Sequence, residues 1–203
     1  MNHWPNPVSG LILAGGQSRR MGANKAFLKV GGRPIIERVI EQVASVSQEI
    51  LLLTNEPDEY AHLGYPTVPD VYPGQGSLIG IYSGLKAARY PVALVVACDM
   101  PFLDASLLRY MISLAPGYDA VVPRTEQGLE PLHALYSKAC LPAMEGLLQR
   151  DTLKVIAFYS QVRVRYLEQK EIETLDPQHL SFFNVNSPAD LRWARRMAAT
   201  ERG

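Results

Sequence analysis

The passage that most constrains this chain is its start, where the apolar run at residues 8–13 goes straight into Ala14-Gly15-Gly16-Gln17-Ser18-Arg19-Arg20-Met21-Gly22-Ala23-Asn24-Lys25. A short continuous apolar run is the mark of a strand covered on both faces. The glycines after it let backbone N–H groups approach an anion, because no Cβ blocks the way and positive φ is allowed. Residues 17–33 carry Arg19, Arg20, Lys25, Lys29 and Arg33 and no acidic side chain, although the whole chain balances 20 basic against 20 acidic groups. The positive charge is therefore local, and a small anion such as a phosphate is its expected partner. A tight turn with a solvated arginine face would explain the glycines, but it would not need a field of one sign. The spacing matches neither the P-loop, whose last Gly directly precedes Lys-Ser/Thr, nor the dinucleotide G-x-G-x-x-G.

The rest of the composition narrows the class. With 203 residues, 47% of them hydrophobic and 20% charged, the chain suffices for one domain (1–203) with a substantial core. Its neutral balance gives no surface for a nucleic acid. No run approaches the roughly 18 apolar residues that span a bilayer. The start, Met1-Asn2-His3-Trp4-Pro5, lacks the charged and apolar regions of a signal peptide, so no membrane is expected and the expected compartment is the cytoplasm. The two cysteines, Cys98 and Cys140, lack metal-site spacing and read as reduced, structural side chains.

Helical and strand periods alternate along the chain. Helices are expected at 34–46, 78–89, 104–114, 139–148 and 188–198, and strands at 50–53, 65–68, 91–97, 120–122, 132–136 and 162–166. This order predicts a three-layer α/β/α sandwich around a mainly parallel, Rossmann-like twisted sheet, with ligands at the carboxyl ends of the strands. A nucleotide-binding half would cover about 8–120 and a substrate-binding half about 121–198, with no internal repeat.

Those strand ends hold the candidate chemistry. The most apolar strand runs into Cys98-Asp99-Met100-Pro101, and a carboxylate there, across from a phosphate loop, is placed to hold Mg²⁺. Capping the turn before Pro101 is the plainer role for Asp99. Asp70 closes the third strand and Asn55 follows the second, so each can meet a base or ribose or order a turn. Residues 73–80 read as a loop that opens a helix. His133 reads as a hydrogen-bonded strand histidine rather than a catalyst. Arg163 and Arg165 alternate with Val162 and Val164, which predicts basic side chains on one face of a strand, meeting a substrate phosphate or only solvent, with solvent the plainer reading.

Taken in order, Leu13-Ala14-Gly15-Gly16-x-Ser18-x-Arg20-Met21-Gly22-x-x-Lys25, Asp70, Gly76-x-Leu78-x-Gly80, Cys98-Asp99-Met100-Pro101 and Phe183-Asn184-Val185-Asn186-Ser187-Pro188-x-Asp190 resemble the molybdenum cofactor guanylyltransferases, the MobA family. The resemblance spans about 8–196. Related cytidylyltransferases usually show Ala-Ala-Gly where this chain has Ala14-Gly15-Gly16. The resemblance implies a Mg²⁺-dependent nucleotidyltransferase that moves GMP from GTP to the phosphate of molybdopterin and releases pyrophosphate. Molybdoenzymes or cofactor-insertion proteins would then receive the product.

It also implies roles for single residues. Leu13, Ala14, Gly15 and Gly16 would lie by the nucleotide, Lys25 on phosphate and Asp99 on Mg²⁺, with Arg20 and Lys25 offsetting the charge of the transition state. Asp70 and Asn55 would lie near guanine or ribose, and Asn184 and Asn186 toward the pterin. The chain departs from the pattern at Gly76-Ser77-Leu78-Ile79-Gly80, where the family often has Gly-Pro-Leu-Ala-Gly, and at Leu53, where some members are polar. A molybdopterin cytidylyltransferase is one alternative; a sugar-phosphate nucleotidyltransferase, the other, would share the loop, Lys25 and Asp99 but commonly has a larger chain. A non-catalytic nucleotide-binding regulator would not need Lys25 and a metal carboxylate together.

Overall fold

The computed structural model describes residues 7–15, 24–72 and 76–200. Along the chain the elements are β1 (Val8–Leu13), β2 (Lys29–Val30), β3 (Arg33–Pro34), α1 (Ile35–Ala44), β4 (Glu49–Leu53), α2 (Pro57–Tyr60), β5 (Thr67–Val68), α3 (Ser77–Ala87) and β6 (Val92–Ala97). They continue as α4 (Ala105–Ser113), β7 (Ala120–Thr125), β8 (Gly128–Leu129), β9 (His133–Ser137), α5 (Leu141–Leu148), β10 (Val164–Glu168), α6 (Gln169–Glu173) and α7 (Pro188–Thr200).

One sheet in the order β10-β7-β9-β6-β1-β4-β5 runs through both halves, with β8 folded back onto β7 and a small β2–β3 hairpin apart from it. β5, β4, β1 and β6 are parallel, while β9 lies antiparallel between β6 and β7. The apolar runs follow from this arrangement, since the sheet is covered on both faces. Ile12, Leu52, Leu94, Val96, Val121 and Leu135 turn toward α1, α4 and α7. Leu11, Leu51, Leu53, Val95, Val122 and Tyr136 turn toward α3 and α5. Alternation along each strand thus feeds two apolar layers, and the architecture is the expected α/β sandwich.

The helices show why they sit where they do. α1 buries Ile35, Ile36, Val39, Ile40 and Val43, a stripe at helical spacing. α4 starts at Asp104, whose carboxylate accepts from the Leu107 N–H at 2.8 Å. α3 packs closely on the sheet because Gly80 and Gly84 lack a Cβ. One at Gly80 would stand 2.8 Å from Leu13 Cδ2, and one at Gly84 would stand 2.6 Å from Leu53 Cδ2.

Two expected elements are trimmed by local chemistry. The helix expected from 139 divides into a 3-10 turn, Lys138–Cys140, and α5, where Pro142 occupies the first turn that needs no N–H. The strand expected from 162 starts at Val164, because the Arg163 N–H is taken by the Asp119 carboxylate at 2.8 Å. No helix of the described residues is long and apolar enough to cross a membrane.

Candidate active site

From β1 the chain winds outward through β4 to β5, then returns on the other side of β1 as β6. Strand order reverses between β1 and β6, which opens a crevice at their carboxyl ends. Leu13 lies in register with Leu53 and with Ala97. Just past that line, the Ala14 N–H donates to the Leu53 carbonyl at 3.0 Å, the Cys98 N–H to the Leu13 carbonyl at 3.0 Å and the Thr54 N–H to the Val68 carbonyl at 3.0 Å. Gly15, Asn55, Asp70 and Asp99 therefore leave neighbouring strands at nearly the same level. Gly16 and Arg20, with the rest of 16–23, lie outside the described residues, as do 73–75.

Lys25 opens a 3-10 turn, Lys25–Phe27, capped by Asn24, whose side-chain oxygen accepts from the Ala26 N–H at 3.1 Å. The Lys25 ammonium donates to Asn186 Oδ1 at 2.9 Å and stands 4.0 Å from Asp99 Oδ2. Asn186 reaches this point because its segment is fastened on both sides. The Val185 N–H donates to the Asp99 carbonyl at 2.9 Å. The Asp190 carboxylate accepts from the Asn186 and Ser187 N–H groups at 3.0 and 2.7 Å, at the start of α7. Residues 161 positions apart in sequence thus meet at one ammonium.

Burial raises the pKa of the Asp99 carboxyl, and the nearby Lys25 charge offsets this only in part. A desolvated carboxylate with, among the described residues, one loosely held cation fits a divalent ion that takes few protein ligands and completes its shell with water and phosphate. Among the described residues no cluster of three or more His, Cys, Asp or Glu side chains could hold a metal by itself. Burial, with Asp99 adding to it, pushes the Cys98 thiol up to about 12, which favours its protonated form. Cys98 and Cys140 are both free thiols.

At the other side of the crevice, Asn55 and Asp70 bind each other. The Asn55 amide donates to Asp70 Oδ2 at 2.8 Å, and the Asp70 N–H donates back to Asn55 Oδ1 at 2.8 Å. The second carboxylate oxygen faces Gly80, 3.7 Å from where a Cβ would stand. Of the two asparagines expected near the pterin, Asn186 joins the cluster. Asn184 turns back on its own loop, donating to the Phe182 carbonyl at 3.0 Å.

Three other expectations are settled by geometry. His133 is a fully buried strand residue, but it is not hydrogen-bonded, as neither ring nitrogen has a partner among the described residues. Its ring lies 4.7 Å from that of Phe182, and burial lowers its pKa to about 3. Arg163 is exposed but ion-paired to Asp119 at 3.1 Å. Arg165 is not a solvent-facing group, since it pairs with Glu171 of α6 at 2.6 Å. Tyr60 was not anticipated at all. It ends α2, a four-residue helix too short to carry an apolar period, and its hydroxyl lies between Ala14 and Asn24.

A family model described as a MobA-like NTP transferase domain matches residues 10–164. The chain belongs to the MobA-like NTP transferase family. It is thus a nucleotidyltransferase. It is similar to a probable molybdenum cofactor guanylyltransferase of Pelotomaculum thermopropionicum, 45% identical over 195 residues, covering 96% of this chain and 95% of the relative. A molybdenum cofactor guanylyltransferase of Desulfosudis oleivorans is 38% identical over 189 residues, covering 92% and 94% respectively. Among solved structures, molybdopterin-guanine dinucleotide biosynthesis protein A of Archaeoglobus fulgidus superposes with a TM-score of 0.83 at 25% identity, covering 95% of this chain and all (100%) of that one.

Proposed function

We propose that this MobA-like chain transfers GMP from GTP to the phosphate of molybdopterin in the molybdenum cofactor, forming the guanine dinucleotide and releasing pyrophosphate. The observation that carries this reading is the Lys25–Asp99–Asn186 cluster at the point where strand order reverses. The names of the full-length relatives support the guanylyl form of the reaction.

The reaction makes one P–O bond, from a cofactor phosphate oxygen to the α-phosphorus of GTP, and breaks the bond from that phosphorus to the departing pyrophosphate. No covalent enzyme intermediate is needed, which agrees with a protonated Cys98 and a buried, uncharged His133. The attacking phosphate is already an anion near neutral pH, so the chain need not supply a base. Its task is to hold two mutually repelling anions in line, and such positioning supplies roughly 7–11 kcal/mol. Lys25 stands where negative charge accumulates, and Asn186 keeps its ammonium extended into the crevice.

Asp99 would hold Mg²⁺, which when bound neutralises phosphate oxygens and orients the triphosphate. The Asn55–Asp70 pair supports a contact to base or ribose on the far side of the crevice. Free thiols and a nucleotide triphosphate substrate support a cytoplasmic site of action. The test is pyrophosphate release, with mass spectrometry of the pterin product, from purified protein given Mg²⁺, molybdenum cofactor and GTP or CTP. Turnover with GTP and a guanylated product is expected. Turnover with CTP alone would overturn the guanylyl assignment.

A further inference from the structure

The hydroxyl of Tyr60 lies in a closed set of hydrogen bonds that joins the end of β1 to the turn carrying Lys25. It donates its one proton to the Ala14 carbonyl at 2.6 Å and accepts from the Asn24 side-chain amide at 2.8 Å. The other amide hydrogen of Asn24 goes to Glu59 Oε2 at 2.7 Å, and its oxygen caps the Lys25 turn through the Ala26 N–H. Ala14 is itself tied to β4 through the Leu53 carbonyl. These bonds link Glu59, Asn24, Tyr60 and Ala14 in one run, so each fixes the next.

The ring of Tyr60 is 1% exposed and packs against Phe27, the last residue of the same turn, at a centroid distance of 5.2 Å. The apolar body therefore holds the turn from below while the polar tip ties it to β1. Ala14 and Asn24 are ten positions apart in the sequence, with Arg19 and Arg20 between them.

We propose that Tyr60 is a positioning residue for nucleotidyl transfer, its hydroxyl setting the turn from which Lys25 reaches the crevice. The proposal rests on the nucleotidyl-transfer reading and adds to it a group that touches no substrate. Burial holds the Tyr60 hydroxyl above the ordinary tyrosine range, so it remains a proton donor throughout the working pH range. Lysine has a long stem with many rotamers, and its aim depends on where its backbone is anchored.

The test uses the whole protein and two variants. Tyr60→Phe removes only the hydroxyl, while Asn24→Ser keeps a turn cap and removes the arm to Tyr60. Each is assayed for GTP-dependent pyrophosphate release with molybdenum cofactor, for GTP binding by calorimetry and for melting temperature. Each variant is expected to lose about 10- to 100-fold in kcat/KM, the scale of a small misplacement of a catalytic group. The loss should hold evenly across pH, and the double variant should be no worse than the weaker single one, as for two links of one tie. Should Tyr60→Phe fail to fold, Asn24→Ser alone decides. Either variant within twofold of wild type, whatever its melting temperature, would overturn the proposal, as would losses that multiply in the double variant. Wild-type protein that neither binds nor turns over GTP would overturn the reading beneath it, an outcome distinct from active wild type with unimpaired variants.

Discussion

Asp99 and Asp70 both stand at strand ends of one sheet, yet their surroundings are opposite. Asp70 is half-buried and bracketed by Asn55 through two reciprocal hydrogen bonds at 2.8 Å, one to its carboxylate and one from its backbone N–H. Asp99 is largely buried, faces one lysine at 4.0 Å, and has its acidity weakened by desolvation. A carboxylate whose needs are met locally can orient a neighbour, but it has little left to bind a cation. One held with an unmet charge is where a metal and a phosphate have most to gain. Under the proposed reaction, the β6 side of the crevice would be the place of chemistry, and the β4–β5 side the place of recognition.

That division can be broken at several points. Lys25→Ala should cost the most, lowering steady-state guanylyl transfer by about 10²- to 10³-fold, the scale for removing one preorganised charge contact, while circular dichroism stays that of wild type. Equal rates would move the chemistry away from β6. Gly80→Val tests the wall behind Asp70. Its new Cβ would stand 2.8 Å from Leu13 Cδ2, and denaturant titration should show a loss of about 1–3 kcal/mol.

Asp70→Ala removes the carboxylate that accepts from the Asn55 amide, while the backbone N–H at position 70 still reaches Asn55 Oδ1, and should raise the KM for GTP by about 10-fold with a smaller change in kcat, the worth of one charge-assisted hydrogen bond. A fall in kcat alone would contradict a recognition role. The smallest effect concerns His133, whose unmet polarity lies in the core rather than the crevice. Its folded pKa is about 3 against an ordinary 6.5, so between those values the unfolded chain binds the extra proton. Stability should then fall as pH is lowered from about 6.5, and be unaffected by this group above it. His133→Leu should flatten the decline of melting temperature between pH 7 and pH 5 and leave turnover at pH 7 unchanged.

The same contrast explains what was legible in the sequence. Residues 8–13, apart from Ser9, and 92–96 are apolar because strands beside the reversal of strand order are covered on both faces, so the strand ends at Leu13 and before Asp99 could be placed from the pattern alone. Asn55 and Asp70 could be placed at strand ends, but their pairing could not, since an Asx side chain has many partners of similar energy. The antiparallel run of β9 was hidden, because a buried strand of either direction has the same apolar pattern. Tyr60 meets Ala14 and Asn24 from α2, and Glu171 meets Arg165 and Tyr110 from α6, and both helices are too brief to leave a period. The partners of Arg163 and Arg165 are likewise set by tertiary neighbours, Asp119 and Glu171, that no spacing along the strand announces.

The measurement that bears most directly on the account is the initial rate of pyrophosphate release from GTP by Asp99→Asn, with Mg²⁺ and molybdenum cofactor present. A loss of about 10²-fold or more is predicted, with a melting temperature equal to or above that of wild type, because the amide replaces a carboxylate whose charge burial disfavours. A rate within twofold of wild type would contradict the account.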